Sequence, residues 1–267
     1  MKVIYYAILG FIQGLTEPIP VSSSGHMVIF KNLFKLENLG DLNFEVIANF
    51  GSLLAVLFFY RKKIFALVKD FFSYLSSKDK KYYNNYKYCW LIVLGCIPAG
   101  ILGLLLKDKI ELIAENVKII GFALLVTAVM LFIVKNKNGK KDSNQITWLD
   151  SLKIGLFQVI ALFPGISRSG STIVGGLLCD LKKDVAFDYS FMLYIPISFA
   201  TMLLGIIDLA GADNLSSLLL PYLVGMSISM VVTYFSLKIF SDIVKKNKLI
   251  YFVIYCIIVG TLVLLFL

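Results

Sequence analysis

Residues 13–26 collect side chains that can do chemistry: Gln13, Glu17, Ser22, Ser23, Ser24 and His26. Gln13 and Glu17 are four apart and share one face of a helix. Pro18 and Pro20 end that helix at once, so the carboxylate stands where the chain breaks and turns. A carboxylate, hydroxyls and the chain's only histidine within so short a stretch are the parts of acid–base and nucleophilic catalysis. A second set lies in PGISRSGST, residues 164–172, around Arg168, one of two arginines in the chain. The planar fork of a buried guanidinium suits phosphate oxygens. Gly165 and Gly170 allow backbone N–H groups to turn inward as an anion nest, and Ser167, Ser169 and Thr172 add hydroxyl donors. A helix beginning near Ser171 aims its N-terminal N–H groups at the same place. One loop brings a carboxylate, hydroxyls and an imidazole; the other brings positive charge and N–H donors. Together they describe a phosphate-processing site.

The two loops are one pattern written twice. LGFIQGLTEPIPVSSSGHMVI (9–29) and IGLFQVIALFPGISRSGSTIV (154–174) align without a gap at an offset of 145. Gly10/Gly155, Gln13/Gln158, Ser22/Ser167, Ser24/Ser169 and Gly25/Gly170 coincide. Each is an apolar helix that breaks at proline and runs into serines and glycine.

The elements around them belong to a membrane. With 58% hydrophobic residues and a mean hydropathy of +0.83 over 267 residues, the composition is that of a polytopic membrane protein. No secretory signal pattern is read at the start, and the four cysteines, in or beside apolar runs without metal spacing, read as small core residues. Segments 44–60, 88–106, 118–134, 186–210, 217–238 and 249–267 are long enough to span. Segments 3–16 and 148–163 are too short, and each is followed by a broken stretch and a second short apolar piece, 27–34 and 172–181. That is the pattern of a re-entrant helix–loop–helix. Irregular backbone at membrane depth is tolerated only where it lines a cavity or packs inside protein.

Net charge +9 reflects topology rather than nucleic acid. Nineteen basic residues fall on one side of the membrane and six on the other, with Arg168 inside a loop, so the larger set is cytoplasmic and both termini lie outside. Each half is a hairpin plus three spans, an odd number, so the second half enters the membrane inverted. The predicted organisation is a first repeat at 1–134, a cytoplasmic linker at 135–147 and a second repeat at 148–267. The fold expected is an all-α polytopic membrane protein built on an inverted-topology repeat, with a shared site at the repeat interface near the midplane. The polar stretch 76–87 reads as an amphipathic cytoplasmic excursion.

QGLTEPIPVSSSGH and PGISRSGST resemble the (E/Q)xxxE segment with its serine–histidine stretch, and the PGxSRSxxT motif, of the undecaprenyl-diphosphate phosphatases of the bacitracin-resistance type. The resemblance covers the whole chain. It implies an enzyme of the bacterial plasma membrane that removes one phosphate from the C55 isoprenoid diphosphate, recycling the peptidoglycan carrier lipid and conferring bacitracin resistance, with a divalent cation, Mg²⁺ or Ca²⁺. Carried onto this sequence, it makes Glu17, Ser22, Ser23, His26, Ser167, Arg168 and Thr172 site residues. Gln13 stands where many members carry glutamate, leaving one carboxylate fewer for metal.

The mechanism expected from both readings has Arg168 and the loop N–H groups clamp the phosphates, while Glu17, helped by Gln13, holds the cation against the diphosphate. Ser23 is the candidate nucleophile with His26 as base or acid. In the competing version His26 or Glu17 activates water and Ser23 only binds phosphate. The partners expected are the polyprenyl diphosphate and membrane lipid, with no nucleic acid and a homodimer left open. A second functional reading, a secondary transporter or flippase for a phosphate-bearing lipid or anion, also fits an inverted repeat with broken helices. Phosphate release in detergent separates the two, because transport needs two compartments.

Overall fold

In the computed structural model, which describes residues 2–35, 42–210, 215–246 and 248–267, the chain is all-α, with no strand among the described residues. The helices are α1 (Lys2–Thr16), α2 (Ser23–Leu33), α3 (Leu42–Phe59), α4 (Arg61–Ser77), α5 (Tyr83–Ala114), α6 (Val117–Val134), α7 (Trp148–Ile160), α8 (Arg168–Leu178), α9 (Lys183–Ala210), α10 (Leu215–Lys245) and α11 (Ile250–Phe266). Stretches 36–41 and 211–214, inside the two predicted halves, lie outside the described residues.

Composition explains the long elements. Stretches such as Val117–Val134 are apolar on every face, and the outward positions stay apolar: Leu105 is 72% exposed and Phe266 76%. In water such a surface would aggregate; in lipid it is solvated. Among the described residues, helices within α5, α6, α9 and α10 are long and apolar enough to cross a membrane, while Phe44–Phe59 and Ile250–Phe266 are shorter apolar helices. The chain is an all-α polytopic membrane protein.

The structure extends several predicted elements. The helix expected over 88–106 runs from Tyr83 to Ala114, and α8 starts at Arg168 rather than near Ser171. Ser167 explains the second shift: its Oγ accepts the Gly170 N–H at 3.1 Å and caps the helix three residues earlier. Residues 61–77, which none of the predicted spans or hairpins includes, form α4. Ile64, Leu67, Phe71 and Tyr74 recur at helical spacing and face inward, whereas Phe65 and Phe72 face out. Segment 135–147 is tied to the α8–α9 junction: the Lys140 and Lys141 N–H groups both donate to the Asp180 carbonyl, and Lys141 pairs with Asp150 at 2.9 Å.

Helices of the two halves cross at paired small residues. On α1, Gly10 lies so close to the Gly225 backbone of α10 that a Cβ would overlap its carbonyl oxygen, and on α7, Gly155 lies the same way against Gly95 of α5. Gly10 and Gly155 are the aligned positions, so one crossing occurs twice. Close approach at small residues is how membrane helices gain packing energy without a hydrophobic driving force between them. Side-chain hydrogen bonds add to it: Ser52 of α3 meets Ser229 (3.0 Å) and Thr233 (2.8 Å) of α10, all fully buried.

The loops meet reciprocally. A Cβ on Gly25 would stand 3.4 Å from Gly165 Cα, and one on Gly170 would stand 3.1 Å from Pro20 Cβ. At the offset of 145, Gly25 matches Gly170 and Pro20 matches Gly165. Contacts of the form i to j and j to i are the mark of a two-fold relation. Asn49 of α3 and Tyr194 of α9, also 145 apart, touch directly: Tyr194 Oη donates to Asn49 Oδ1 at 2.6 Å. They therefore lie on the pseudo-axis.

Candidate active site

Both loops are helix N-caps built the same way. Ser22 Oγ accepts the Gly25 N–H at 3.3 Å and Ser167 Oγ accepts the Gly170 N–H at 3.1 Å. Each capping hydroxyl also meets the serine two residues on, Ser24 at 3.5 Å and Ser169 at 3.2 Å. The caps explain why serines recur at these spacings: Ser22 and Ser167 build the turns, so that the next residue, Ser23 or Arg168, projects at a helix start. Gly165 takes φ +87°, a conformation glycine adopts without penalty.

Glu17 is the centre. One carboxylate oxygen accepts Arg168 Nη2 at 2.5 Å. The other accepts Ser23 Oγ at 2.5 Å and Gln13 Nε2 at 3.1 Å. The pair is largely buried, with 13% of the Glu17 side chain and 18% of the Arg168 side chain exposed. At such burial each charge needs the other, because desolvation is expensive for an isolated ion. Four predicted residues, Gln13, Glu17, Ser23 and Arg168, thus converge across the pseudo-axis.

His26 is placed differently from its expected role. Its Nδ1 lies 2.7 Å from the Ser22 carbonyl oxygen and its Nε2 lies 2.7 Å from Tyr255 Oη. No hydrogen bond joins it to Ser23 among the described residues; the group in contact with the Ser23 hydroxyl is Glu17. Of the predicted phosphate donors, Ser169 Oγ donates to the Ile19 carbonyl at 3.2 Å, and Thr172 Oγ1 lies 2.6 Å from Ser190 Oγ and 3.0 Å from the Arg168 carbonyl it donates to. Ser169 and Gly170 join the two loops, Thr172 ties α8 to α9, and Ser22 and Ser167 cap.

The tertiary structure adds residues that the motifs do not include. Tyr194 puts its ring 3.9 Å beneath the Arg168 guanidinium carbon, and its hydroxyl is tied to Asn49. The ring faces the cation with its electron-rich side and fixes the plane of the fork. The only available signal was the offset: Asn49 and Tyr194 are aligned positions with polar groups in apolar helices. Arg168 keeps Nη1 buried with no hydrogen-bond partner among the described residues, a donor free for an incoming acceptor. Gln158, aligned with Gln13, is buried with both amide atoms unpartnered among the described residues. The position aligned with Glu17 is Leu162, so the amide of the second half has no carboxylate to address.

Comparison with known proteins gives the same frame. The family model described as bacitracin resistance protein BacA matches residues 6–262. Undecaprenyl-diphosphatase 1 of Bacillus cereus is 44% identical over 265 residues, covering 99% of this chain and 98% of that protein. Undecaprenyl-diphosphatase 1 of Bacillus licheniformis is 42% identical over 267 residues, covering 100% and 98%. Undecaprenyl-diphosphatase of Oceanobacillus iheyensis is 41% identical over 267 residues, covering 99% and 97%. With near-complete coverage on both sides, this chain belongs to the BacA bacitracin resistance protein family.

Proposed function

We infer that the Glu17–Ser23–Arg168 cluster hydrolyses the terminal phosphate of a polyprenyl diphosphate. The chain is a multi-pass bacterial membrane enzyme, an undecaprenyl-diphosphatase, that converts undecaprenyl diphosphate to undecaprenyl phosphate and inorganic phosphate. The observation that supports the assignment to this site is the shared carboxylate: Glu17 holds the hydroxyl of Ser23 and the guanidinium of Arg168 at 2.5 Å each.

The chemistry follows from that geometry. The diphosphate brings negative charge into a buried site whose free donor is Arg168 Nη1. Arg168 turns from Glu17 to the phosphate, which leaves Glu17 with Ser23. Ser23 Oγ attacks the terminal phosphorus, the P–Oγ bond forms, its proton passes to the Glu17 carboxylate, and the bridging P–O bond breaks to release undecaprenyl phosphate. Water then attacks the phosphoserine. The P–Oγ bond breaks, Glu17 returns the proton to Ser23, and the proton from water leaves with inorganic phosphate. Arg168 and the N–H groups at the start of α8 stabilise the charge on the transferring group.

Glu17 is the single carboxylate of this cluster, and no group of three His, Cys, Asp or Glu among the described residues converges as a metal cage. The donors suit a hard cation bound jointly with substrate: Glu17, the amide oxygen of Gln13 and phosphate oxygens. Such an ion would neutralise charge on the diphosphate. The prenyl chain would lie in an apolar groove between spans, open to lipid.

The test is phosphate release by purified protein in detergent from C15 and C55 diphosphates with saturating Mg²⁺ or Ca²⁺, with rapid quench and mass spectrometry of the 17–30 peptide. Release together with a trapped phosphate on Ser23 supports the scheme. Release with no trapped phosphate and an active Ser23→Ala variant assigns the attack to water instead. No release from either lipid would overturn the enzyme reading.

A further inference from the structure

Ser22 takes φ +67° and ψ +102°, a conformation that non-glycine residues rarely adopt. Something must hold it there, because this residue sets the direction of Ser23. Two bonds end on its carbonyl oxygen, from the His26 N–H at 3.2 Å and the His26 Nδ1 at 2.7 Å. A carbonyl only accepts, so Nδ1 carries the proton. In the neutral ring Nε2 is then the acceptor, and its partner is Tyr255 Oη at 2.7 Å. The two rings lie nearly parallel, 16° apart in plane with centroids 5.6 Å apart. Tyr255 is itself anchored: its neighbour Cys256 is buried and its thiol reaches the Pro20 carbonyl at 3.8 Å, so α11 is fastened to the same loop.

We propose that Tyr255 is a positioning residue for the active-site turn: its O–H holds His26 as the Nδ1–H tautomer, His26 holds the strained Ser22, and Ser22 presents Ser23 to Glu17. Free histidine in water favours the proton on Nε2, so the tautomer reports on the two partners together, the Ser22 carbonyl on Nδ1 and the Tyr255 hydroxyl on Nε2. The catalytic consequence rests on the phosphatase reading; the tautomer does not. A misplacement of the nucleophile lowers turnover more than binding, since the phosphate clamp is on the other loop.

His26 is the only histidine, so ¹⁵N-histidine labelling gives one imidazole spectrum. The wild-type protein should show a protonated Nδ1 and an unprotonated Nε2. Tyr255→Phe, which keeps the ring and removes the hydroxyl, should move the balance toward Nε2–H. It should also lower kcat about tenfold or more, with KM within about twofold. Tyr251→Phe on the same helix, whose ring meets Lys248 instead, should change neither. The loss of kcat from Tyr255→Phe should shrink in a Ser22→Gly background, where positive φ carries no penalty. An unchanged imidazole spectrum in Tyr255→Phe overturns the proposal, and so does a shifted tautomer with undiminished kcat. A wild-type protein that shows the Nδ1–H tautomer yet hydrolyses no diphosphate would instead overturn the phosphatase reading alone.

Discussion

Ser23 and Arg168 occupy the same position in two copies of one loop, 145 residues apart, and both reach the same carboxylate, Glu17. Each is the first residue of its helix, directly after a serine N-cap. The duplicated turn therefore delivers two different groups to one point, a hydroxyl from one side of the pseudo-axis and a guanidinium from the other. Leu162 replaces the carboxylate in the second half. On the proposed mechanism this divides the labour: the first half would carry the nucleophile and its base, and the second the charge that binds phosphate.

Arg168→Lys tests the fork. Lysine keeps the charge but cannot span two oxygens or stack flat on Tyr194. Activity is expected to fall by roughly 10²–10³, the scale for losing one preorganised charge-stabilising donor. Insertion and folding should persist, because a cation still faces Glu17. Phosphate release and thermal unfolding of the same preparation check this, and near-wild-type turnover would mean that the arginine serves structure only.

Glu17→Gln and Ser23→Ala test the unit. Each single variant should lose most activity, and the double variant should be little worse than either, because residues that act together are not additive. Ser24→Ala should be mild, since Ser24 is exposed and meets only the capping Ser22 at the edge of hydrogen-bond range, 3.5 Å. Turnover of the four variants under saturating metal decides. Multiplicative losses in the double variant would place the two groups in separate steps.

Tyr194 separates two contributions. Tyr194→Phe keeps the ring under Arg168 and removes the bond to Asn49, so it should cost about 1–2 kcal/mol of stability with little change in kcat. Tyr194→Leu also removes the cation–π contact, about 0.5–2 kcal/mol for a desolvated pair, and should lower activity several-fold more than the phenylalanine variant. Thermal melts and steady-state kinetics of both variants provide the comparison. Equal turnover in the two would remove the ring from any role in holding the arginine.

Gly165→Ala meets two obstacles. Its φ of +87° is unfavourable for alanine, and the new methyl would stand 2.8 Å from Ala123 Cβ and 3.0 Å from Ile120 Cα on α6. A loss of about 1–3 kcal/mol is expected from the backbone conformation alone. Because the loop sets Arg168, activity should fall with stability. A variant of unchanged melting temperature would show that the loop accommodates the methyl by shifting.

Much of this was legible in the chain. Apolar runs too short to span, each broken at proline and followed by serine and glycine, marked the hairpins, because a helix cannot continue where N–H donors are lost and capping hydroxyls compete for the backbone. The gapless offset pairs the loops from sequence alone, and intramembrane Glu17 and Arg168 stand out by their cost. α4 was not legible, because its inward stripe of Ile64, Leu67, Phe71 and Tyr74 is diluted by lysines that average its hydropathy away.

Spacing could place residues in one loop but could not say which way each side chain turns. Ser23 and His26 are three apart on a helix start, close enough for sequence alone to join them. The tertiary structure gave Ser23 to Glu17 and turned His26 to Ser22 and Tyr255, a residue 229 positions away. Likewise only packing put Tyr194 beneath Arg168. Local sequence determines where a helix starts and what it offers there. Partner choice is decided by whichever groups from distant helices fill the remaining directions, because in a buried site most donors and charges are held by a partner within hydrogen-bond reach.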